Sequence, residues 1–421
     1  MRRRLVITAA ISALTLALTG CTGGGADSGG DAKGGELEFL TGTAVDSPLY
    51  AQYQELVKKF EADHSGVKVN LVPSSTDHEG DLKVRLASGN IPDIWMTHGW
   101  SLSRYGEFLM PLQNEPWAKD LAPALKPAML GPGGELYAMP VDTDIAGLLY
   151  NADVLAEAGF QPDDIRTWDD FSRAGAAIKA KGKTPIYAAG KDQWPTGLFV
   201  DWIAPGIFSE AELKSMKEGT FAEDSYTKVL DTVGSFRDAG LLNKDYSSAT
   251  TDNVARALAE GKTGFSFLMN FVATSAFEYK KDAKIGFMPV PTANGGEPYL
   301  ISGEKNALGV DKDTKHPEEA KELLAFLAQP ENLTKLAKAS GSAPGLTSAQ
   351  SDLGGLQSSF DTYVQPGTVP TVPYFDRVYM PNGAWDTIVK TTDGVVTKQS
   401  TVADSVAKVK TDFTKLSAQA K

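Results

Sequence analysis

A tryptophan and an aspartate lie in a short loop where neither has an obvious role in a hydrophobic core. The segment GKDQWPTG places Asp192 and Trp194 between glycines and a proline, directly after the apolar stretch TPIYAA. The face of an indole ring packs on apolar CH groups, and a carboxylate accepts hydrogen bonds from hydroxyls. We therefore predict that this pair binds a ligand with apolar faces and a ring of hydroxyls, as a carbohydrate has.

Three other positions at the ends of predicted strands offer similar chemistry, and each has a structural alternative. Asp46 could accept hydrogen bonds from a ligand or cap the helix that begins near Pro48, and we favour the cap. Trp100 could be an aromatic platform or a core residue of the helix that follows it. Asn270 could bind a ligand through its amide or cap the helix that it opens.

Two extended segments are interrupted by polar or glycine-containing stretches. In ELYAMPVDTDIAGLLYN, Asp142 and Asp144 flank a polar interruption, and we expect their carboxylates to face opposite sides, one toward a ligand and one toward a hinge. In YLISGEKNALGV, Ser302 and Gly303 lie at a similar break, where glycine permits close approach of the backbone. Breaks of this kind can absorb the change in dihedral angles that a hinge needs.

The elements that position these residues alternate between strands and helices from residue 36. ELEFLTG and VKVNLV have the alternation of strands, and the segment between them places apolar residues from Leu49 to Phe60 on one helical face. A second helix, EGDLKVRLASGN, and a third strand, IPDIWMT, complete a β-α-β-α-β start. This order predicts a parallel sheet covered by helices, and ligands of such sheets bind beyond the carboxyl ends of the strands.

The N-terminus has the parts of an export signal. Arginines at residues 2–4 precede about 14 mostly apolar residues, too few for a permanent membrane span. The segment LTGC ends at Cys21, the only cysteine of the chain, and resembles the bacterial lipobox, in which the leader is removed and the thiol carries a diacylglyceryl group. We therefore predict a lipoprotein signal peptide over residues 1–20, a lipid anchor at Cys21, and a flexible tether over residues 21–35.

Length and charge restrict the class of protein. A chain of 421 residues is long enough for two domains. The formal net charge of −12 disfavours nucleic acid, which binds to basic surfaces, and disfavours electrostatic capture of anions. We expect a neutral ligand and a protein held on the extracellular face of the cell membrane.

In combination, these features resemble the extracytoplasmic solute-binding proteins of ABC importers, in the sugar-binding branch that includes maltose-binding protein. The matching segments are the lipobox, SGNIPDIW, LYAMPVDTDIAGLLYNADVLAEAG, and GFMPVP with the later ALGV and HPEEAKELLAFLAQPENLTKLAKASGSAPG. Each segment alone is unspecific, so their order and spacing carry the resemblance. It covers essentially the whole mature chain.

The resemblance implies an α/β protein with the two-lobe, type II-like periplasmic-binding-protein fold, in which hinge crossings join the lobes and the ligand lies in the cleft. The first lobe would comprise residues 36–143 and 297–345, and the second residues 144–296 and 346–421. The resemblance further implies that the closed form delivers its ligand to ABC permease subunits in the membrane. We expect the protein itself to be a monomer.

The resemblance also places a late segment, VPYFDRVYMPNGAWDTI, at the cleft. This segment adds Tyr374 and Trp385 to the candidate ligand-binding residues, with Trp385 as a further stacking platform. Asp376 and Arg377 are neighbours in the same segment, and we expect Arg377 to form a plain salt bridge.

A secreted glycoside hydrolase is the alternative from another class of protein. It needs two carboxylates about 5 to 10 Å apart, which Asp142 with Asp192 or Asp46 could supply. However, GxSxG and HExxH motifs are absent, and both GKT triplets lack the upstream glycine of a Walker loop. We therefore predict a binding protein with no catalytic residues, no metal and no cofactor.

A binding protein for a polyamine or a quaternary amine is the second alternative. The acidic charge would suit a polyamine, and an aromatic cage would suit a quaternary amine. The tryptophans in loops favour a small oligosaccharide, which is the predicted ligand.

Overall fold

The computed structural model describes residues 35–74, 78–97, 101–293 and 295–419. The predicted signal peptide, Cys21 and Trp100 lie outside the described residues. The strands are β1 Glu36–Leu40, β2 Lys68–Val72, β3 Ile94–Met96, β4 Met139–Pro140, β5 Asp142–Ala146, β6 Leu148–Asn151, β7 Thr184–Ile186, β8 Thr263–Ser266, β9 Ile285–Met288, β10 Leu300–Gly303, β11 Ala307–Val310, β12 Ala343–Pro344 and β13 Thr371–Pro373. The α-helices are α1 Pro48–Asp63, α2 His78–Ser88, α3 Lys126–Met129, α4 Ala152–Glu157, α5 Trp168–Ala180, α6 Trp194–Ile203, α7 Glu210–Lys217, α8 Glu223–Asp238, α9 Thr251–Ala259, α10 Phe271–Tyr279, α11 Pro317–Leu327, α12 Pro330–Ser340, α13 Gln357–Tyr363, α14 Phe375–Tyr379, α15 Trp385–Thr397 and α16 Val402–Gln419.

The first sheet has the strand order β2-β1-β3-β11-β4. Strand β1 pairs in parallel with β2 and β3, whereas β11 runs antiparallel to β3 and β4. The predicted parallel β-α-β-α-β start is thus confirmed. Helix α1 is amphipathic, and Leu49, Tyr53, Leu56 and Phe60 are buried along its inner face.

A second outer sheet has the strand order β7-β8-β6-β9. Strands β7 and β8 are parallel, and β6 runs antiparallel to β8 and β9. Aromatic rings fill the space behind this sheet: the ring centroid of Phe171 lies 4.7 Å from that of Phe265 and 5.2 Å from that of Phe236. These tilted ring contacts pack helices α5 and α8 against the strands.

Two large, separate hydrophobic cores divide the described chain. One is formed by residues within 37–141 and 307–346, and the other by residues within 146–301 and 353–413. A middle sheet with the order β12-β5-β10-β13 lies where the chain passes between them. The protein therefore has a two-lobe α/β fold, and we call the bodies around these cores the first lobe and the second lobe. No helix in the described part of the chain combines the length and apolar character needed to cross a membrane.

Candidate functional site

A cavity of about 280 Å³ lies where the first lobe meets the second. It is lined by side chains from both lobes and from the turn that follows β10: Arg104, Trp194, Leu198, Asp201, Met269, Lys305, Tyr374, Asp376, Arg377 and Trp385. Three residues that the sequence predicted as ligand contacts, Trp194, Tyr374 and Trp385, thus share one cavity although they are distant along the chain.

The two tryptophans form the aromatic part of this cavity. Trp194 begins α6 and packs on Phe271, with the ring centroids 6.1 Å apart. Trp385 begins α15 and lies against α6 at Gly197, where a Cβ atom would come within 2.6 Å of the indole ring. A glycine at this position therefore lets the ring lie against the helix. Both indole rings are only partly buried, so each keeps surface for a ligand.

Asp201 and Asp376 form a buried pair of carboxyl groups beside the tryptophans, with 1% and 6% of their surfaces exposed. The backbone N–H of Asp376 donates to Asp201 Oδ1 at 2.9 Å, which holds α14 against α6. Burial and then the negative charge of Asp376 raise the pKa of Asp201 well above its ordinary value. Burial also raises the pKa of Asp376, opposed by the positive charge of Arg377. The pair therefore keeps a proton to higher pH than isolated carboxyl groups, and it offers hydroxyls both a donor and acceptors.

The guanidinium of Arg377 lies over the ring of Tyr374, 4.2 Å from its centroid. Its Nη1 donates to the backbone carbonyl of Glu304 at 2.5 Å. The expected salt bridge to Asp376 does not form between these two described side chains, because the carbonyl at the end of β10 takes the guanidinium instead. At Gly303 a Cβ atom would lie 2.6 Å from the ring of Tyr374. The glycine therefore permits a close approach, as expected, and the groups that approach it are the side chains of Tyr374 and Arg377.

Asp142 and Asp144 project from the same face of β5, so the expectation that they face opposite sides is wrong. Residues two apart along a strand share a face. Asp142 accepts hydrogen bonds from the backbone N–H of Asn306 at 2.8 Å and from its side-chain amide at 2.6 Å, and so ties β5 to the start of β11. Asp144 accepts from the Tyr374 hydroxyl at 3.1 Å, while its buried Oδ1 has no partner among the described residues. Burial raises the pKa of Asp144, and the positive charge of Lys305 opposes that shift.

A larger crevice, of about 1040 Å³, lies on the opposite face of the middle sheet. Thr143 and Ile145 of β5 line it, and the hydroxyl of Ser302 lies 3.1 Å from that of Thr143. Among its described lining residues, Asp361 is the only ionisable side chain and Phe360 the only aromatic one. The smaller cavity therefore carries far more of the chemistry that recognises a polar ligand.

Asp192 and Asn270 bind other parts of the protein rather than line the cavity. Asp192 Oδ2 accepts from the backbone N–H of Thr251 at 2.6 Å and from its hydroxyl at 2.7 Å, which anchors the start of α9. Asn270 Nδ2 donates to the carbonyl of Ile145 at 2.9 Å and ties α10 to β5. Asn270 makes no side-chain cap on α10, so the capping alternative is wrong. Its buried Oδ1 has no partner among the described residues.

Asp46 is exposed, lies outside the cavity lining and does not cap α1. The cap is Ser47, whose hydroxyl accepts from the backbone N–H of Tyr50 at 3.1 Å. The sequence interpretation was therefore wrong by one residue, because Ser47 directly precedes Pro48 at the first helical position. Asp46 remains only a predicted ligand contact.

Comparison with known proteins agrees with the two-lobe arrangement. The family described as bacterial extracellular solute-binding protein matches residues 44–334. The chain belongs to this family. The melibiose/raffinose/stachyose-binding protein MelE of Bacillus subtilis (strain 168) is 30% identical to it over 386 residues, which are 90% of this chain and 88% of MelE.

Solved structures share the fold of this solute-binding protein. The crystal structure of a binding protein described as MsmE from Bacillus subtilis subsp. subtilis (strain 168), in an open conformation, has a TM-score of 0.83 and 28% identity, covering 93% of this chain and 99% of that one. A sugar transporter protein of Bacillus licheniformis in complex with stachyose has a TM-score of 0.78 and 29% identity, covering 90% of this chain and 100% of that one. The family and these relatives are binding proteins.

Sequence reasoning missed several cavity residues of this solute-binding protein: Arg104, Leu198, Asp201, Met269 and Lys305. Asp201 had a usable signal, because it is the only charged residue in the apolar run WPTGLFVDWI, and a charge in an apolar helix needs a partner once the helix is buried. Arg104 carries no local signal, since its place depends on how the lobes meet. Among the described residues, no group of three or more His, Cys, Asp or Glu side chains is placed to hold a metal ion.

Proposed function

We propose that this solute-binding protein binds a small oligosaccharide in the cavity between its lobes and delivers it to the permease subunits of an ABC transporter. The observation that carries the proposal is the convergence of Trp194 and Trp385 with the carboxyl pair of Asp201 and Asp376. Indole faces suit the apolar CH groups of a sugar, and carboxyl groups suit its hydroxyls. The names of relatives support the same ligand class, since MelE is described as binding melibiose, raffinose and stachyose and the Bacillus licheniformis protein was solved with stachyose.

The size of the cavity suggests that it encloses only one end of the oligosaccharide. Its volume of about 280 Å³ lies at the lower end of the range for ligand pockets, roughly 300–1,000 Å³. The enclosed end would stack on Trp194 and Trp385 and donate hydroxyls to the carboxyl pair. A sugar without such a hydroxyl would leave a buried oxygen unpaired, which costs about 1–3 kcal/mol. Asp144 and Asn270 lie outside the lining of this cavity and remain only predicted ligand contacts.

Other predicted site residues would support the cavity rather than contact the ligand. Asp192 would hold the loop that presents Trp194, and Ser302 and Gly303 would shape the hinge beneath Tyr374. Trp100, beyond the described residues, stays a predicted stacking platform of the first lobe.

In this proposal the hinges lie at β5 and β10, the strands of the middle sheet where the chain crosses between the lobes. The first lobe would span residues 36–143 and 297–345, and the second residues 144–296 and 346–421. Tyr299, Leu300 and Ile301 all pack in the core of the second lobe, which would move the second crossing to the residues after Ile301.

We further propose that residues 1–20 are a lipoprotein signal peptide and that a lipid on Cys21 holds the protein on the extracellular face of the membrane. The LTGC segment and membership of an extracellular family support this proposal. Fractionation of cells that produce the full chain or its Cys21→Ser variant tests it. The native chain should sediment with membranes and the variant should not, and equal partitioning of the two would contradict a lipid anchor.

Thermal unfolding of the purified protein against a panel of ligands tests the ligand class. The panel contains melibiose, raffinose, stachyose and maltose, with spermidine and betaine as amines. A ligand at a hundred times its Kd stabilises the native state by about 2.7 kcal/mol, which should raise Tm clearly. A rise with a saccharide that stays intact on long incubation supports the proposal. A rise with an amine alone, or no rise with any saccharide, refutes oligosaccharide binding, and consumption of the saccharide would identify an enzyme.

A further inference from the structure

Arg104 is fixed in the first lobe by the residue that follows it. It lies in the short π-helical segment Ser101–Tyr105, after β3. Tyr105 is buried against Trp95 and Leu109 in a small core of that lobe. The arginine therefore moves with the first lobe.

Asn382 is fixed in the second lobe in the same way. It lies in the turn between α14 and α15. Met380 and Ala384, on either side of it, are buried in the core of the second lobe and hold this turn in place. The side chain of Asn382 itself is exposed at the mouth of the cavity.

A hydrogen bond joins these two residues across the mouth of the cavity. Arg104 Nη2 donates to Asn382 Oδ1 at 3.0 Å, between positions 278 residues apart. The same guanidinium lines the cavity beside Asp376 and Trp385. Helices α3 of the first lobe and α14 of the second lie against each other on this side, so the contact lies where the two rims approach.

We propose that Arg104 and Asn382 form a rim latch, a hydrogen bond between the lobes that favours the arrangement of the lobes seen here over more open ones and slows release of the ligand. Because Arg104 is fixed in the first lobe and Asn382 in the second, rotation of one lobe against the other changes the distance between them. A bond that is made in this arrangement and lost in a more open one shifts the population toward this arrangement by its own free energy. For a solvent-exposed bond we expect a shift of about 2- to 10-fold. The effect on ligand release rests on the proposed function, whereas the effect on the ligand-free protein does not.

The distance between the lobes of the ligand-free protein tests the latch directly. Spin labels are placed on the full chain carrying Cys21→Ser, with Lys58→Cys on the first lobe and Asp224→Cys on the second, both exposed. Because Cys21 is the only native cysteine, only the introduced positions are labelled. Pulsed electron paramagnetic resonance then gives the distance distribution.

Five variants separate the latch from general effects of mutation. Asn382→Ala and Arg104→Met should each raise the ratio of longer to shorter distances between the lobes about 2- to 10-fold, and the double variant should go no further than Arg104→Met. Asn382→Asp keeps an acceptor and should keep the native distribution or a more closed one. Arg85→Met is the matched control, because it removes an arginine whose salt bridge, to Glu38 at 2.7 Å, lies within the first lobe. Unchanged distances in Asn382→Ala and Arg104→Met, with native circular dichroism, would overturn the latch.

Ligand release gives the second readout. Stopped-flow measurements with a saccharide that binds should show dissociation about 2- to 10-fold faster in Asn382→Ala, which leaves the cavity lining intact. An unchanged dissociation rate together with an opened distance distribution would refute the kinetic part alone. If no saccharide binds the native protein, the proposed function fails while the distance measurement still decides the latch.

Discussion

Replacement of Trp194 by alanine should weaken oligosaccharide binding without unfolding the protein. The indole ring is partly buried against Phe271, and its remaining surface faces the cavity. If about a third of the 150–250 Å² that a tryptophan can bury is left for the ligand, the lost contact is about 50–80 Å². At about 25 cal/mol per Å² this is roughly 1–2 kcal/mol, or a Kd about 5 to 30 times weaker.

Isothermal titration calorimetry with the saccharide identified by the thermal panel would measure this change. Trp194→Phe keeps an aromatic face and should recover part of the affinity, which separates stacking from simple loss of volume. Tyr279→Ala is the matched control, because Tyr279 is an exposed aromatic residue on α10 that stacks on Arg256 and does not line the cavity. A Kd for Trp194→Ala within twofold of the native value, in a protein with an unchanged Tm, would refute the assignment of this cavity to the ligand.

Three further predictions follow from individual contacts. Asp192→Ala should lower the free energy of unfolding in urea by about 1 kcal/mol, because α9 loses its anchor at Thr251. The same substitution should change the Kd for the saccharide less than Trp194→Ala does. An unchanged stability with a much weaker Kd would make Asp192 a ligand contact. The raised pKa of Asp201 means that the folded state binds more protons than the unfolded state, so stability is full at low pH and falls as pH rises through the folded pKa. Asp201→Asn cannot ionise and should lose less stability than the native protein between pH 5 and 8, and parallel pH profiles in urea unfolding would contradict the raised pKa. Gly303→Ala should lower Tm, since its Cβ atom would lie 2.6 Å from the ring of Tyr374, and an unchanged Tm would mean that this ring can move aside.

Local patterns in the sequence predicted the elements of this protein well. The alternation in ELEFLTG and the apolar face from Leu49 to Phe60 correspond to β1 and α1, because side-chain periodicity depends only on local backbone geometry. The order and spacing of segments also led to the solute-binding family and its two-lobe fold. Where a prediction needed the partner of a single side chain, it was less accurate: the capping role went to Ser47 rather than Asp46.

The candidate site shows the same division between local and distant information. The position of Trp194 in a cavity was predictable from the sequence, because a large aromatic residue in a loop bounded by glycine and proline has little to pack on locally. The structural role of Asp192 was not predictable, since the residue that it binds, Thr251, lies 59 residues further along the chain. The orientation of Asp142 and Asp144 was misjudged although strand alternation alone puts them on one face. Their different partners, Asn306 and Tyr374, are known only from the folded chain.

By itself, the sequence predicted an export signal and determined the alternation of strands and helices, the family, and the presence of loops that contain tryptophan and carboxylates. The tertiary structure decided which of those residues share a cavity, that Asp201 and Asp376 lie together in it, and that Arg104 reaches Asn382 across its mouth. The physical reason is that secondary structure follows from the geometry of neighbouring residues, whereas a cleft is formed by two cores whose packing brings together side chains hundreds of positions apart.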